Sequence, residues 1–363
     1  MNTMDRLKKT LRVLIRPFYK IIFYELRKGS LNVSRNGEPL KMGITAVVAM
    51  KNEEYTLPFC LKGLVGFADQ VVIIDNGSQD NSLDLAKEFK KEFGHLILVD
   101  ILEMPGALLG DCREAGLRAT KYQWHLRWDA DMIAHTDGEF NMKKLRIKIL
   151  ADKTPRTIQL PRMNRSGDLF HVHKNKEWDP GEPILMWFNK DIEYKEFGKF
   201  DTILVPLYYG QIKEHTNYYL HCSGLKSDIN LIHRFHYFTW RESYNLYNDS
   251  NRPKYIESYE TFVKERNSFL FNVTESDNVK YRYKRQFVQN LIRTNSLQPE
   301  DYPKVFREEV KKNEPRFEMI YRNNQIFSRI DRQDIETCNY TPDEADINWN
   351  PDDFFNKLSM EKH

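Results

Sequence analysis

Short apolar runs alternate with longer segments of helical periodicity between residues 44 and 131. The apolar runs are at 44–50, 71–75, 96–99 and 124–128, and the first has no polar face, as expected of a buried strand. The segments between them, at 55–66, 81–93 and 108–121, repeat apolar residues at the spacing of one helix face. This alternation predicts an α/β fold, with a mainly parallel sheet and helices on both faces.

The pattern changes after residue 131. Strand-like runs at 157–160, 184–188 and 203–207 are separated by loops rich in His, Asp and Gly. After Tyr237 the chain becomes charged and helix-like, notably at 281–292 and 304–313. We therefore predict a linker at 29–43, an α/β domain at 44–240 and a helical C-terminal extension at 241–363.

Residues 1–28 form a basic leader with one apolar side. They carry eight basic and two acidic side chains, a net charge of +6, and since the whole chain carries +3, the other residues carry −3. On a helical wheel, one side is apolar: Leu7, Leu11, Leu14, Phe18 and Ile22. This pattern predicts a helix on an anionic membrane surface and a cytoplasmic protein, peripheral on the inner face of the membrane; the alternative is a helix packed on the protein's own core.

Composition excludes several other classes of protein. With 40% hydrophobic and 13% aromatic residues, the chain is not a disordered one. Its four cysteines are scattered without a CxxC pair, so we expect neither structural zinc nor a disulfide framework. No apolar stretch reaches 18 residues and no signal-peptide pattern is found, so we expect no spanning helix. Because the basic charge is confined to the leader, nucleic acid is not an expected partner.

Polar residues follow the first two predicted strands. Asn52 and Glu53 come just after the first, and the second runs into Asp75, Asn76, Gly77 and Ser78. Polar groups at the carboxyl ends of neighbouring parallel strands line the crevice in which nucleotides bind, and Asp75 can accept from a base or a ribose hydroxyl. The alternative is that these residues form only a turn and a helix cap.

Two carboxylates, Asp129 and Asp131, flank Ala130 directly after the fourth apolar run. Two acids one residue apart at a strand end can approach one hard divalent cation, which keeps open positions for diphosphate oxygens. Such a cation offsets the negative charge that develops on a leaving nucleoside diphosphate. Acid pairs are common in loops, and it is the position of this pair after three strand–helix units and a fourth apolar strand that indicates a cation site.

Taken together, residues 44–131 resemble family 2 glycosyltransferases of the GT-A fold, which is Rossmann-like with a mixed, mainly parallel sheet. The resemblance runs through AVVAMKNEE at 46–54, VVIIDNGSQDNS at 71–82, REAG at 113–116 and WHLRWDADM at 124–132. It implies a nucleotide-sugar donor of the UDP or dTDP class, bound by 44–131, with the acceptor on 132–240. The donor-binding residues that it implies are Asn52, Glu53, Asp75, Asn76, Gly77, Ser78, Arg113, Asp129 and Ala130.

The resemblance also implies inverting transfer of a hexose to a glycan or lipid-linked acceptor, as in cell-surface polysaccharide assembly. Such transfer needs a carboxylate that deprotonates the acceptor hydroxyl. The segment YKEFGKFD at 194–201 resembles a form of the family's base segment, with Asp201 where Glu would stand. Asp179 and Glu214 are rival candidates for this base.

Histidine adds a third expected metal ligand. Many GT-A enzymes take one from a His well after the acid pair, and HCSGLK at 221–226 resembles that context, so Asp129, Asp131 and His221 would bind Mn²⁺ or Mg²⁺. The alternatives for His221 are a phosphate or acceptor contact, or a structural role. His171 and His173 alternate on a strand and form either a second metal site or, as we expect, a surface pair.

Three other classes of enzyme have sequence motifs that do not match this chain. Phosphatases with a DxD nucleophile place it after the first core strand, whereas here the acids follow the fourth. Sugar nucleotidyltransferases have a Gly-rich loop near the first strand, and dinucleotide oxidoreductases have GxGxxG, and both are lacking here. The remaining alternative is a catalytically silent relative that acts as a binding or scaffold protein at the membrane.

Overall fold

The structure is a computed structural model that describes Phe18 and residues 21–22, 24–27, 31–173, 176–197, 200–226, 291–294, 298–312, 314–322 and 325–331. The chain divides into two compact units. The first comprises residues 1–164, 178–221 and 298–307, and the second comprises 165–177, 222–297 and 308–363. Most of the leader and much of the region after 226 lie outside the described residues.

The first unit contains a nine-stranded mixed sheet and most of the helices found among the described residues. Its strands are β1 Lys41–Met50, β2 Gln70–Asp75, β3 Leu98–Glu103, β4 Tyr122–Asp129, β5 Met132–Ala134, β6 Arg156–Ser166, β8 Trp178–Trp187, β11 Gly210–Lys213 and β12 Tyr219–Ser223. Its helices are α1 Leu57–Leu64, α2 Ser82–Phe93, α3 Leu109–Ala119 and α4 Met142–Ala151. A separate hairpin is formed by β9 Glu193–Phe197 and β10 Phe200–Leu204.

The strand order in the sheet is β3-β2-β1-β4-β8-β6-β12-β5, with β11 paired to β6. β1 pairs in parallel with β2 and β4, and β2 with β3, whereas β8 is antiparallel to both β4 and β6. All six residues of β2 are buried, as expected of a strand covered on both faces. The mixed α/β architecture expected for a GT-A fold is confirmed.

Three predicted strand positions need correction, and the first is the run at 203–207, where the strand is β10 Phe200–Leu204. β3 is at Leu98–Glu103 rather than 96–99, and Leu96 is 65% exposed. Among the strands that the structure describes, this edge strand pairs with β2 alone, so its burial pattern is mixed and its hydrophobic signal weak. β1 begins at Lys41, so the end of the expected linker is part of the sheet.

Helix α3 lies very close to the sheet. A Cβ built on Gly116 would be 2.3 Å from a Val47 methyl carbon, so only glycine fits there without rearrangement. Val47 belongs to a fully buried cluster with Val72, Ile74 and Cys112. This close approach fixes α3, and therefore Arg113, against the carboxyl ends of the central strands.

The described part of the second unit is mixed rather than helical. It contains β7 His171–His173 paired with β13 Leu291–Arg293, the hairpin of β14 Phe317–Arg322 and β15 Gln325–Asp331, and most of helix α5 Arg307–Lys312. The prediction of a helical 241–363 is therefore wrong for residues 291–293, 317–322 and 325–331, whereas α5 agrees with the helix predicted at 304–313. Phe317–Arg322 and Gln325–Asp331 are rich in aromatic and β-branched residues, which favour strands.

His171 and His173 are not the expected surface pair. His171 is fully buried in the second unit, where its Nδ1 lies 2.8 Å from Asp168 Oδ1. The Asp168 carboxylate also accepts from the backbone N–H of Arg316 at 3.0 Å. The ring of His171 packs edge-on against Phe317, so its contacts are those of a structural histidine.

Candidate active site

The carboxyl ends of the central strands meet as the parallel pairing requires. Met50 is in register with Asp75, and Ala49 is in register with Asp129. The predicted donor-binding residues after β1, β2 and β4 therefore lie along one edge of the sheet. This edge is where ligands bind in open α/β sheets.

The loops after β1 and β2 are joined by side-chain hydrogen bonds. The backbone N–H of Asn52 donates to Ser78 Oγ at 3.0 Å, and Asn52 Oδ1 accepts from the backbone N–H of Gln79 at 2.7 Å. Asn52 has a φ of 54°, a left-handed conformation that asparagine tolerates better than most residues. The cross-links hold this conformation in place and make the two loops one wall of the candidate site.

Asp75 and Ser78 form the expected turn. Ser78 donates to the Asp75 carboxylate from its hydroxyl at 2.6 Å and from its backbone N–H at 3.1 Å. A carboxylate has about four acceptor positions, so these bonds leave it able to accept from a bound base or ribose. The turn alternative and the nucleotide role of Asp75 are therefore compatible.

Asn76, Gly77 and Glu53 are also held by local contacts. The Asn76 amide donates to the backbone carbonyl of Ala107 at 2.7 Å. Gly77 has a φ of 73°, which a side chain would strain. The backbone N–H of Glu53 donates to Ser82 Oγ at 2.7 Å, and its carboxylate accepts from the Thr56 hydroxyl at 3.2 Å, just before α1. These contacts favour the helix-start role considered for Glu53.

Arg113 connects the two predicted carboxylates, Asp129 and Asp201. Its buried guanidinium pairs with Asp129, donates to the Trp128 carbonyl at 3.2 Å, and lies 3.5 Å from Asp201 Oδ2. Arg113 is 2% exposed, so it is not an ordinary surface cation of α3. Partial burial alone would raise the pKa of Asp129, but Arg113 and Arg127 more than offset it and hold that pKa below its ordinary value.

Asp131 and His221 come together on the other side of Ala130, which is itself buried. β5 pairs with β12 so that Met132 is opposite His221, and the Trp128 indole N–H donates to the Met132 carbonyl at 2.9 Å across the turn. His221 Nε2 lies 3.4 Å from Asp131 Oδ1, and His221 Nδ1 lies 2.8 Å from Asn164 Oδ1.

The side chains at this turn supply part of the ligand set that a divalent cation needs. Two donors on one ion at about 2.1 Å lie about 3.0–3.5 Å apart, which matches the distance between Asp131 and His221. Asp129, the third expected ligand, is paired with Arg113. Within the described part of the chain, no group of three His, Cys, Asp or Glu residues could hold a metal. A cation would therefore have Asp131 and His221 as its side-chain ligands and would share Asp129 with Arg113.

The three candidates for the base have different surroundings. The β9–β10 hairpin brings Asp201, whose side chain is 12% exposed, to Arg113 and hence to the Asp129 side of the site. Asp179 pairs with Arg162 at 3.0 Å and accepts from the Gly181 backbone N–H at 2.6 Å. Glu214 pairs with Lys148 of α4. Of the three, Asp201 is the one that these contacts place with the acid pair.

Three residues near this site were missed by sequence reasoning. Arg127 is buried on β4 and pairs with Glu182 at 2.8 Å, and a cation inside an apolar strand was a usable signal. Tyr194 is buried near Arg113 and Arg127, and its hydroxyl has no hydrogen-bond partner among the residues described. Asn164 gave no signal, because only the pairing of distant strands brings it to His221.

Comparison with known proteins gives one family and several distant structures. Residues 45–196 match the model of the family described as Glycosyl transferase family 2. No curated protein sequence matches the chain.

The similar solved structures share little sequence with this chain. TarS 1-349 of S. aureus in complex with UDP is 12% identical, with 69% of this chain and 81% of that chain covered and a TM-score of 0.36. The same protein in complex with UDP-GlcNAc is 11% identical, with 78% and 96% covered and a TM-score of 0.37. Glucosyl-3-phosphoglycerate synthase from Mycobacterium tuberculosis, in complex with Mn²⁺, UDP and phosphoglyceric acid, is 18% identical, with 38% and 48% covered and a TM-score of 0.26. Over residues 45–196, this chain is therefore similar to glycosyl transferase family 2.

Proposed function

We propose that this protein is a glycosyltransferase that moves a hexose from a UDP- or dTDP-type donor to a glycan or lipid-linked acceptor. The family match over residues 45–196 supports the general activity. The observation that carries the proposal is the cluster at the end of β4, where Arg113 bridges Asp129 and Asp201 while Asp131 meets His221. This cluster brings together a candidate base, Asp201, an arginine that can bind a diphosphate, Arg113, and candidate metal ligands.

In this proposal the two sides of the cluster have separate tasks. Asp75 and the cross-linked loops around Asn52 and Ser78 receive the nucleoside, and Asp129 with Arg113 lies beside the ribose and diphosphate. Asp131 and His221 would be the main side-chain ligands of Mn²⁺ or Mg²⁺, and Asp129 would be shared between the cation and Arg113. When bound, the cation offsets the charge on the leaving nucleoside diphosphate.

Asp201 is the proposed base. It accepts the proton of the acceptor hydroxyl as that oxygen forms a bond to the anomeric carbon, while the bond from this carbon to the diphosphate oxygen breaks and the nucleoside diphosphate leaves. Attack from the face opposite the leaving group gives inversion. The Arg113 guanidinium, 3.5 Å from Asp201 Oδ2, orients this carboxylate beside the acid pair.

Membrane contact through the leader is part of the proposal. The described residues Phe18, Ile21, Ile22 and Leu26 are 70%, 63%, 57% and 74% exposed, and their spacing puts them along one side of a helix. This exposure favours contact with a surface outside the protein over packing on its own core. Together with the leader's net charge of +6, it supports a peripheral protein on the anionic inner face of a membrane, acting in cell-surface polysaccharide assembly. In the described residues, no helix is long and apolar enough to cross a membrane.

The alternative is a catalytically silent binding or scaffold protein. The ion pair between Arg113 and Asp129 favours it, because that pair occupies one expected metal ligand. Silent relatives would bind a nucleotide sugar without releasing its nucleoside diphosphate.

One experiment separates the two proposals. The full chain is incubated with UDP-, dTDP- and GDP-sugars, with and without Mn²⁺, and nucleoside diphosphate release is measured beside nucleotide binding. We expect Mn²⁺-dependent release from at least one donor and its loss in Asp131→Asn. Binding without release would support the silent alternative, and neither binding nor release would end the glycosyltransferase proposal.

A further inference from the structure

Asn164 reaches the candidate metal site from a different strand. It lies on β6, which neighbours β12 in the sheet, and its Oδ1 is 2.8 Å from His221 Nδ1. The other ring nitrogen of His221, Nε2, is 3.4 Å from Asp131 Oδ1. The side chain of His221 is 17% exposed and that of Asp131 is 8% exposed, so this contact is largely shielded from solvent. The imidazole is therefore held between an amide and a carboxylate.

The amide oxygen decides which nitrogen of His221 carries the hydrogen. A neutral imidazole has one N–H and one lone pair, and an amide oxygen can only accept. Asn164 Oδ1 therefore selects the form with hydrogen on Nδ1. This leaves the Nε2 lone pair facing a carboxylate oxygen, so two acceptors lie 3.4 Å apart with no hydrogen between them. His221 Nε2 and Asp131 Oδ1 would therefore serve together as ligands of a divalent cation.

We propose that Asn164 is a positioning residue that holds His221 with hydrogen on Nδ1 and so makes Nε2 a metal ligand beside Asp131. The inference rests on the proposed metal-dependent function and adds a residue to it. Partners that fix the ring of a ligating histidine typically change metal affinity by 10–100-fold when they are replaced. The competing arrangement has the Asn164 amide turned by 180°, so that its NH₂ donates to Nδ1 and Nε2–H donates to Asp131.

The tautomer of His221 can be read without any metal. ¹⁵N-detected NMR of the full, metal-free chain gives the position of the ring hydrogen, and His221→Gln assigns the signal. We expect hydrogen on Nδ1. Hydrogen on Nε2 would show that the amide is turned and would overturn the inference.

Metal affinity gives a second, independent test. Mn²⁺ binding to the full chain without donor is measured by EPR of free Mn²⁺. We expect Asn164→Ala to weaken binding by about 10–100-fold, and Asn164→Asp, which keeps an acceptor oxygen at the same place, to restore it. Asn141→Ala is the matched control, because Asn141 caps α4 by accepting from the Lys143 backbone N–H at 2.9 Å. That control should leave Mn²⁺ binding unchanged.

The outcomes separate this inference from the proposed function. If the wild-type chain binds Mn²⁺ and Asn164→Ala binds it equally well, the role of Asn164 is wrong and the glycosyltransferase proposal stands. If the wild-type chain neither binds Mn²⁺ nor shows metal-dependent release, both fail together.

Discussion

Arg113 is a buried cation whose removal leaves two carboxylates without their partner. We expect Arg113→Gln to lower the free energy of unfolding by about 3–5 kcal/mol at pH 7. The change would leave the Asp129 carboxylate desolvated without the cation that offsets its burial. The pKa of Asp129 is held below its ordinary value, so this stabilisation is present above about pH 4 and is lost as the pH falls through the folded pKa. Urea unfolding at pH 7 and at pH 3.5 measures both effects.

The control for this change is on the same helix. Arg118 is 69% exposed and belongs to a surface pair with Glu114, so Arg118→Gln should cost less than about 1 kcal/mol. An equal loss in both variants, or a loss in Arg113→Gln that persists undiminished at pH 3.5, would contradict the role of the buried pair.

Two buried histidines also make stability fall with falling pH, but in a higher pH range than Asp129 does. Burial, with Arg113 and Arg127 nearby, lowers the pKa of His125 to about 3, and burial with Arg307 lowers the pKa of His135 to about 4. Because both folded values are below the unfolded value, the unfolded chain takes up protons first and stability falls as the pH drops below about 6.5.

Each of these histidines should add about 1.4 kcal/mol per pH unit to that fall. We expect His125→Gln and His135→Gln each to reduce the slope of unfolding free energy between pH 6 and pH 4.5. His95, which is exposed, provides the control, and His95→Gln should leave the slope unchanged. Equal slopes in all four proteins would show that neither buried ring is held neutral.

At the scale of elements, the packing of α3 on the sheet positions Arg113. We expect Gly116→Ala to lower the free energy of unfolding by about 1–3 kcal/mol, since the added Cβ would overlap Val47. In a double-mutant cycle, Gly116→Ala should cost less in a Val47→Ala background than in wild type, because the overlapping methyl groups are gone. A Cβ on Gly210 would be 3.7 Å from its nearest atom, so Gly210→Ala is a control that thermal unfolding should not distinguish from wild type.

In the proposed mechanism, the task of the β9–β10 hairpin is to bring Asp201 to the acid pair. We expect Asp201→Asn to reduce kcat by about 10²–10⁴-fold with KM for the donor little changed, because the amide cannot accept the acceptor's proton. Asp179→Asn is the matched rival, since Asp179 pairs with Arg162 instead. A large kcat loss in Asp179→Asn together with near wild-type turnover in Asp201→Asn would move the base to Asp179.

At the scale of the whole molecule, the leader is proposed to attach the protein to a membrane. We expect deletion of residues 1–28 to abolish sedimentation with vesicles that contain phosphatidylserine, because it removes both the net charge of +6 and the exposed apolar stripe. The double change Phe18→Ser and Ile22→Ser keeps the charge and tests the stripe by itself. Vesicle binding that survives the deletion would place the membrane contact elsewhere in the chain. Vesicles of neutral lipid serve as the control for the contribution of charge.

Much of the fold was predictable from the chain because each signal was local. The runs that became β1, β2 and β4 are buried on both faces, so they read as continuous apolar segments, and the acids at their ends follow directly in sequence. β3 was misplaced because an edge strand is only partly buried. The strands after Leu291 were missed because their runs are short and the surrounding sequence is charged.

The sequence by itself determined the alternation of strands and helices, the resemblance to a glycosyltransferase family, and the identity of Asp75, Asp129 and Asp131 as candidate site residues. Only the tertiary structure decided that Arg113 lies between Asp129 and Asp201, and that Asn164 and His221 reach Asp131. The physical reason is separation along the chain. A strand and the turn after it are specified by neighbouring residues, whereas contacts between residues tens of positions apart depend on sheet order and register, which no local pattern encodes.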